Sequence, residues 1–222
     1  MYQNVLSYAK ISYMKEGNPM KFYLEEPSID RKEEALEYLD EMVEYNSDIN
    51  GSGGMDQCLY GMTYEDWLIR LDNIKNEEFA NSVGRCPGAT FFLIREDDNK
   101  IIGMLNIRYN LTEEMLKFAG HIGYGIRPTE RRNGYNKINL YLGLKKAKED
   151  FNLDKVMLGC SKDNLGSDKT IQDLGGELER CELDPQDGEL TNVYWIDVAK
   201  SLEEYKDVYM GYISDREKFP SR

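Results

Sequence analysis

The apolar positions of this chain change period along its length, recurring every second residue in some segments and every three to four in others. That switching predicts a mixed α/β fold. Lys21-Phe22-Tyr23-Leu24 reads as a short strand. Pro27 and Ser28-Ile29-Asp30 then open a helix, capped by Ser28 or Asp30, with Ala35, Leu36, Leu39, Met42 and Val43 at helical spacing. Asn50-Gly51-Ser52-Gly53-Gly54 is a glycine loop, and a second helix begins near Thr63 with Trp67, Leu68 and Leu71 on one face. Strands are expected over 90–94 and 101–109, joined by the turn Asp97-Asp98-Asn99-Lys100. A short amphipathic stretch over 111–118 leads to a strand over 121–127, which Pro128 ends, and then to a helix over about 134–150.

Further on, residues 155–160 form a short apolar strand, and a helix over about 165–174 is stopped by Gly175-Gly176. Strands over 178–183 and 190–198 flank the turn Asp184-Pro185-Gln186-Asp187-Gly188. The order predicts one domain over 20–198, with a sheet that combines hairpins and a βαβ unit. Residues 1–19 read as an N-terminal extension ending in Gly17-Asn18-Pro19, with Met20 as an alternative start. Residues 199–222 read as a charged helical tail, with Leu202, Tyr205 and Tyr209 on one side, and as the candidate surface for a homodimer.

Charge narrows the function. Lys and Arg number 28 against 41 Asp and Glu, a net −13 that argues against a nucleic-acid or anionic-membrane binder. No apolar run approaches the ~20 residues of a membrane-spanning helix, and the first twenty residues lack signal-peptide character, so a cytoplasmic protein is expected. Cys58, Cys86, Cys160 and Cys181 form no C-x2-C pair and have no histidine cluster beside them. Free thiols, mostly in the core, and no metal site are expected.

The chemistry concentrates between His121 and Lys137, where a strand feeds a glycine-containing loop and then a long helix. Such a loop aims N–H groups at a helix N-terminus that favours an anion. Neither G-x4-G-K-[ST] nor G-x-G-x-x-G occurs, which excludes the common nucleotide loops. From Arg127 to Lys148, seven cations face Glu130 alone, a local +6 that leaves −19 for the rest of the chain. A phosphorylated cofactor suits the first. The second suits a cationic acceptor, with Glu25, Glu26, Asp48, Asp56, Glu65 and Asp66 as candidate attracting groups.

Arg131-Arg132-Asn133-Gly134-Tyr135-Asn136 resembles the [QR]-x-x-G-x-[GA] pyrophosphate loop of the GNAT superfamily of N-acetyltransferases. Asn164-Leu165-Gly166-Ser167 and Leu174-Gly175-Gly176 are similar to that superfamily's N-x-x-S…G-[FG] pattern after its fifth strand. The likeness covers about residues 20 to 198 and is nearest to a bacterial branch of predicted acetyltransferases. It implies the acyl-CoA N-acyltransferase fold: a largely antiparallel mixed sheet, splayed between strands four and five and flanked by helices.

The resemblance also implies a cosubstrate, acetyl-CoA, and no metal. Ile126 backbone groups would orient the thioester and pantetheine. Arg131, Arg132, Asn133, Gly134, Tyr135, Asn136 and Lys137 would hold the pyrophosphate, with Asn164 and Ser167 beside the pantetheine. A neutral amine would attack the thioester directly. Two positions depart from the pattern: Asn136 where Gly or Ala is usual, and Ile171 where many relatives carry a thiolate-protonating Tyr. His121 is the candidate general base, Tyr124 and Tyr194 the candidate acids, and Cys160 a packing residue. The 51–54 loop would shape the acceptor rim. The reading is an N-acetyltransferase of a small cationic amine; the alternatives are an acyl-CoA-binding sensor or scaffold and a purely structural interaction protein.

Overall fold

The computed structural model describes residues 14–15, 18–185 and 187–218. Its principal strands are β1 (Phe22–Glu25), β2 (Gly88–Arg95), β3 (Lys100–Arg108), β4 (Ile122–Ile126), β5 (Lys155–Ser161), β6 (Glu177–Leu183) and β7 (Leu190–Asp197). They form two antiparallel sheets, ordered β1-β2-β3-β4 and β5-β7-β6. The helices are α1 (Lys32–Glu44), α2 (Tyr64–Ile74), α3 (Glu77–Ser82), α4 (Tyr135–Glu149), α5 (Leu165–Gln172), α6 (Val198–Glu204), α7 (Lys206–Tyr209) and α8 (Asp215–Lys218). Met14–Lys15 pairs with Asn18–Pro19 ahead of β1.

The first sheet is covered on both faces, which is why β2 is buried almost throughout. Phe92 and Ile94 face α1 and α2 with Tyr38, Met42 and Trp67, while Phe91 and Leu93 face α4 with Ile138 and Leu142. Between Leu93 and Ile94 the β2–β3 register shifts, placing one extra residue in β3. That bulge moves β3 from Ile101 on one face to Leu105 and Ile107 on the other.

Several local expectations change. Neither Ser28 nor Asp30 caps α1; a 3-10 turn over Ile29–Arg31 precedes it, and the Ser28 carbonyl instead accepts from the Tyr64 hydroxyl. Thr63 does cap α2, accepting from the Asp66 N–H. The amphipathic stretch over 111–118 is a series of turns. The single C-terminal helix expected from Ser201 onward is broken into short segments that fold back on α4 and β1. Tyr209 packs on Tyr141 at 5.1 Å, and the Ser214 N–H donates to the Phe22 carbonyl. Burial of Tyr209 and Ile213 explains the return: those side chains complete the α4 core.

Candidate functional site

Strands β4 and β5 are not laddered along their length; they meet at one bridge, Gly120 with Leu158, and then part. On the other side of β4, the Arg108 N–H donates to the His121 carbonyl and the Arg127 N–H to the Ile102 carbonyl. An antiparallel ladder bonds alternate residues, so the odd positions of β4 face β3. The N–H groups of Tyr124 and Ile126 therefore point into the gap. The Ile126 carbonyl is taken by Arg131 Nε at 2.9 Å, leaving the Ile126 N–H as its gap-facing group.

The gap leads to the loop before α4. Arg132 and Gly134 both have left-handed φ, +63° and +75°, which turns successive N–H groups toward one side. Gly134 is the N-cap, Tyr135 begins the helix, and the Asn136 N–H at its second position has no carbonyl one turn back. The Asn136 side-chain oxygen is buried without a partner. Arg132 is exposed and forms no ion pair among the described residues. Two of these features fit a pyrophosphate: the Asn136 N–H at the start of the helix and one free cation, Arg132.

The remaining basic charge is mostly committed. Arg127, only 1% exposed, is clasped by Glu41 at 2.6 Å and Glu37 at 2.9 Å. Lys137 pairs with Asp173. Lys145, Lys146 and Lys148 pair with Glu149, Asp150 and Asp154. Arg131 braces β4 against Ser47 at 2.5 Å beyond α1. The local +6 is thus largely neutralised by carboxylates that lie outside the counted stretch or fold beside it.

The other expected site residues divide by contact. Asn164 caps α5, its Oδ1 accepting from the Ser167 N–H at 3.0 Å. The Tyr124 hydroxyl crosses to α5, donating to the Ser167 carbonyl at 3.5 Å and accepting from Ser167 Oγ at 3.2 Å. Burial raises its pKa above the usual tyrosine value. Tyr194 donates to Asp168, which also accepts from Asn192 and Gln172, so this hydroxyl braces α5 on β7. His121 Nδ1 accepts the Met157 N–H at 2.9 Å, and burial together with Arg108 pushes the imidazole down to about 4. It is neutral at pH 7, with that lone pair occupied.

Cys160 lines a cavity of about 560 Å³ beside β5, and burial with nearby Asp168 pushes its thiol up to about 12, far from a nucleophile. All four thiols are free, but only Cys86 and Cys160 are buried; Cys58 is half-buried and Cys181 lies exposed on β6 instead of in the core. Among the described residues there is no group of three or more His, Cys, Asp or Glu that could hold a metal. No helix among them is long and apolar enough to cross a membrane.

The model of the acetyltransferase (GNAT) family matches residues 57–175, more than half of the chain. The chain belongs to the GNAT acetyltransferase family. Solved structures carry the same fold. The ribosomal-protein-S5-alanine acetyltransferase of Vibrio fischeri is 17% identical with a TM-score of 0.59, the match covering 79% of this chain and 92% of that one. The microcin C7 self-immunity acetyltransferase, solved with acetyl-CoA and AMP, is 15% identical with a TM-score of 0.54 over 80% and 92% of the two chains. Mutant forms of the spermidine/spermine N-acetyltransferase of Vibrio cholerae are 13% identical with a TM-score of 0.54 over 83% and 98%. No curated protein matches the sequence.

Within the GNAT fold the 50–54 loop lies directly on β4. A Cβ on Gly51 would stand 2.6 Å from Tyr124 Cα, and one on Gly125 would stand 2.9 Å from the Asn50 carbonyl. The acids expected to attract a cation are largely engaged elsewhere: Glu25 with Arg31, Glu26 with Lys75, Glu65 with Lys32. Instead Arg70, Arg85 and Arg108 line a cavity of about 200 Å³ beneath the loop. Little in the local pattern pointed to them, because they lie on separate elements; a cation ending the apolar strand β3 was the one available signal.

Proposed function

We propose that this protein transfers the acetyl group of acetyl-CoA to a primary amine by direct attack. The observation that carries the reading is the parting of β4 from β5, with the Tyr124 and Ile126 N–H groups turned into the gap and the gap ending at the N-terminus of α4. Acetyl-CoA supplies an activated acyl group as its thioester. In this reading the Ile126 N–H holds the pantetheine, and the Tyr124 N–H polarises the thioester carbonyl. The N–H groups from Asn133 to Asn136, with Arg132, hold the pyrophosphate. Arg131 and Lys137 shape the loop rather than touch phosphate, and Asn164 and Ser167 set the α5 wall.

A neutral amine forms the new C–N bond as the C–S bond breaks; the thiolate gains a proton and the nitrogen loses one. The Tyr124 hydroxyl, held beside Ser167, is the proton donor assigned to the thiolate. His121 is assigned to the join between strands and Tyr194 to bracing α5, so neither needs to move a proton. Holding the reactants together supplies most of the rate, with carbonyl polarisation adding to it.

The test mixes the protein with acetyl-CoA and a panel of small amines and follows free thiol. Amine-dependent thiol release supports the reading. Tight acetyl-CoA binding without such release would favour a binding module, and failure to bind acetyl-CoA would remove both. The Tyr124→Phe variant should lower kcat while leaving the acetyl-CoA Kd unchanged.

A further inference from the structure

Gly123 and Gly125 turn toward the face of β4 opposite α4, where the 50–54 loop covers them. The cavity of about 200 Å³ on that face is lined by Gly123 and by three arginines from separate elements. Arg70 on α2 lies over the loop, its guanidinium 3.2–3.3 Å from where a Cβ on Gly54 would stand. Arg108 ends β3, with Nη2 3.4 Å from where a Cβ on Gly123 would stand. Its Nε is buried without a partner, and Nη2 has the Ala119 carbonyl at 3.3 Å. Arg85, exposed after α3, lines the same cavity and lies near enough to Arg70 for their charges to repel.

Three arginines elsewhere show the contrast. Arg31, Arg95 and Arg127 are each held by two carboxylates, Glu25 with Glu34, Asp98 with Glu130, and Glu37 with Glu41. In a chain of net charge −13, carboxylates are plentiful. Yet none of the ion pairs among the described residues involves Arg70, Arg85 or Arg108; Asp56 acts on Arg70 from beyond ion-pair distance. Burial and the neighbouring Arg85 both disfavour the charge on Arg70. Three guanidiniums converging without an acid are stabilised by an anion placed among them.

We infer that this cavity binds an oxyanion carried by the acetyl acceptor, so that the acceptor is a small amine bearing a carboxylate or phosphate. The inference rests on the acetyl-transfer reading above. Gly123 adjoins Tyr124, whose N–H faces the gap, so an amine anchored here by its anionic end reaches the thioester from the face opposite α4. In that reading the coenzyme phosphates would be held elsewhere, at the start of α4.

The experiment uses matched amines: glycine against glycinamide, phosphoethanolamine against ethanolamine, and spermidine as the cationic case. Acetyl-CoA binding is measured separately by calorimetry. The anionic members should be preferred by about tenfold or more in kcat/KM, the effect of one charge-assisted pair, and the two pairs show whether carboxylate or phosphate is read. Arg70→Gln and Arg85→Gln should raise KM for the anionic amine by about tenfold, with the acetyl-CoA Kd unchanged. Arg85 is exposed, so its variant carries the test if Arg70→Gln does not fold. Equal or better turnover of the uncharged partners or of spermidine overturns the inference while leaving acetyl transfer intact. A parallel loss of acetyl-CoA affinity in the variants would assign the arginines to the coenzyme and overturn it too. Absence of acetyl-CoA binding by the unaltered protein would remove the underlying reading and the inference together.

Discussion

His121 and Met157 are joined by two hydrogen bonds at the root of the gap between β4 and β5. The His121 N–H donates to the Met157 carbonyl at 2.8 Å, and the Met157 N–H donates to the imidazole Nδ1 at 2.9 Å. The ring supplies the acceptor that a continuing ladder would take from a carbonyl. The strands are thereby held together at one end and free to part toward Ile126.

His121→Ala should cost about 1–3 kcal/mol, because the Met157 N–H loses its acceptor. The native imidazole titrates near 4 against an unperturbed 6.5, so the unfolded chain binds the proton first. This contribution is full above about pH 6.5 and is lost as pH falls toward 4. Urea midpoints between pH 7.5 and 4.5 should fall more for the unaltered protein than for the variant. Parallel pH profiles would refute this role.

Glu41 receives Arg127 Nε, the Thr129 N–H and the Thr129 hydroxyl, tying α1 to the end of β4. Burial alone would raise its pKa, but those hydrogen bonds outweigh it and hold the carboxyl below the usual value. The stability it contributes is present above the unfolded pKa of 4.5 and falls away as pH drops through the lower native one. Glu41→Gln should cost about 1–3 kcal/mol at pH 7, and thermal unfolding at pH 7 and pH 3 should show the difference shrinking in acid.

Gly51 has φ +74°, and a Cβ there would stand 2.6 Å from Tyr124 Cα and 2.8 Å from the Gly123 carbonyl. Both neighbours are backbone and cannot turn aside. Gly51→Ala should cost more than the ~1–2 kcal/mol of left-handed strain alone. Acceptor KM should rise with it, since the loop roofs the arginine cavity; an unchanged melting temperature would show that the loop moves freely.

Arg132 and Lys137 are adjacent in the loop-helix unit but differ in partner, since Asp173 already neutralises Lys137. Arg132→Gln should weaken acetyl-CoA binding by about 1 kcal/mol, roughly fivefold, and less at high salt. Lys137→Gln should change it less. Calorimetry at two ionic strengths compares them, and equal losses would mean that Lys137 leaves Asp173 for phosphate.

Local pattern was enough for much of the fold. The apolar runs around Phe92 and Leu105, the glycine stops, and the strand-loop-helix unit from Ile122 to Glu149 are short-range signals, and each became the element it predicts. The amphipathic stretch over 111–118, whose spacing alone assigns no element type, is a series of turns, since spacing over so few residues cannot hold a helix by itself.

Charge was legible only as a sum. The sequence by itself determined the family, the loop before α4 and the two kinds of periodicity, all of which depend on residues close together in the chain. Tertiary structure alone decided that Glu41 takes Arg127, that Asp173 takes Lys137, and that Arg70, Arg85 and Arg108 converge with no acid between them. Ion pairing depends on distance in space and on burial, and partners brought together from separate elements leave no local spacing to read.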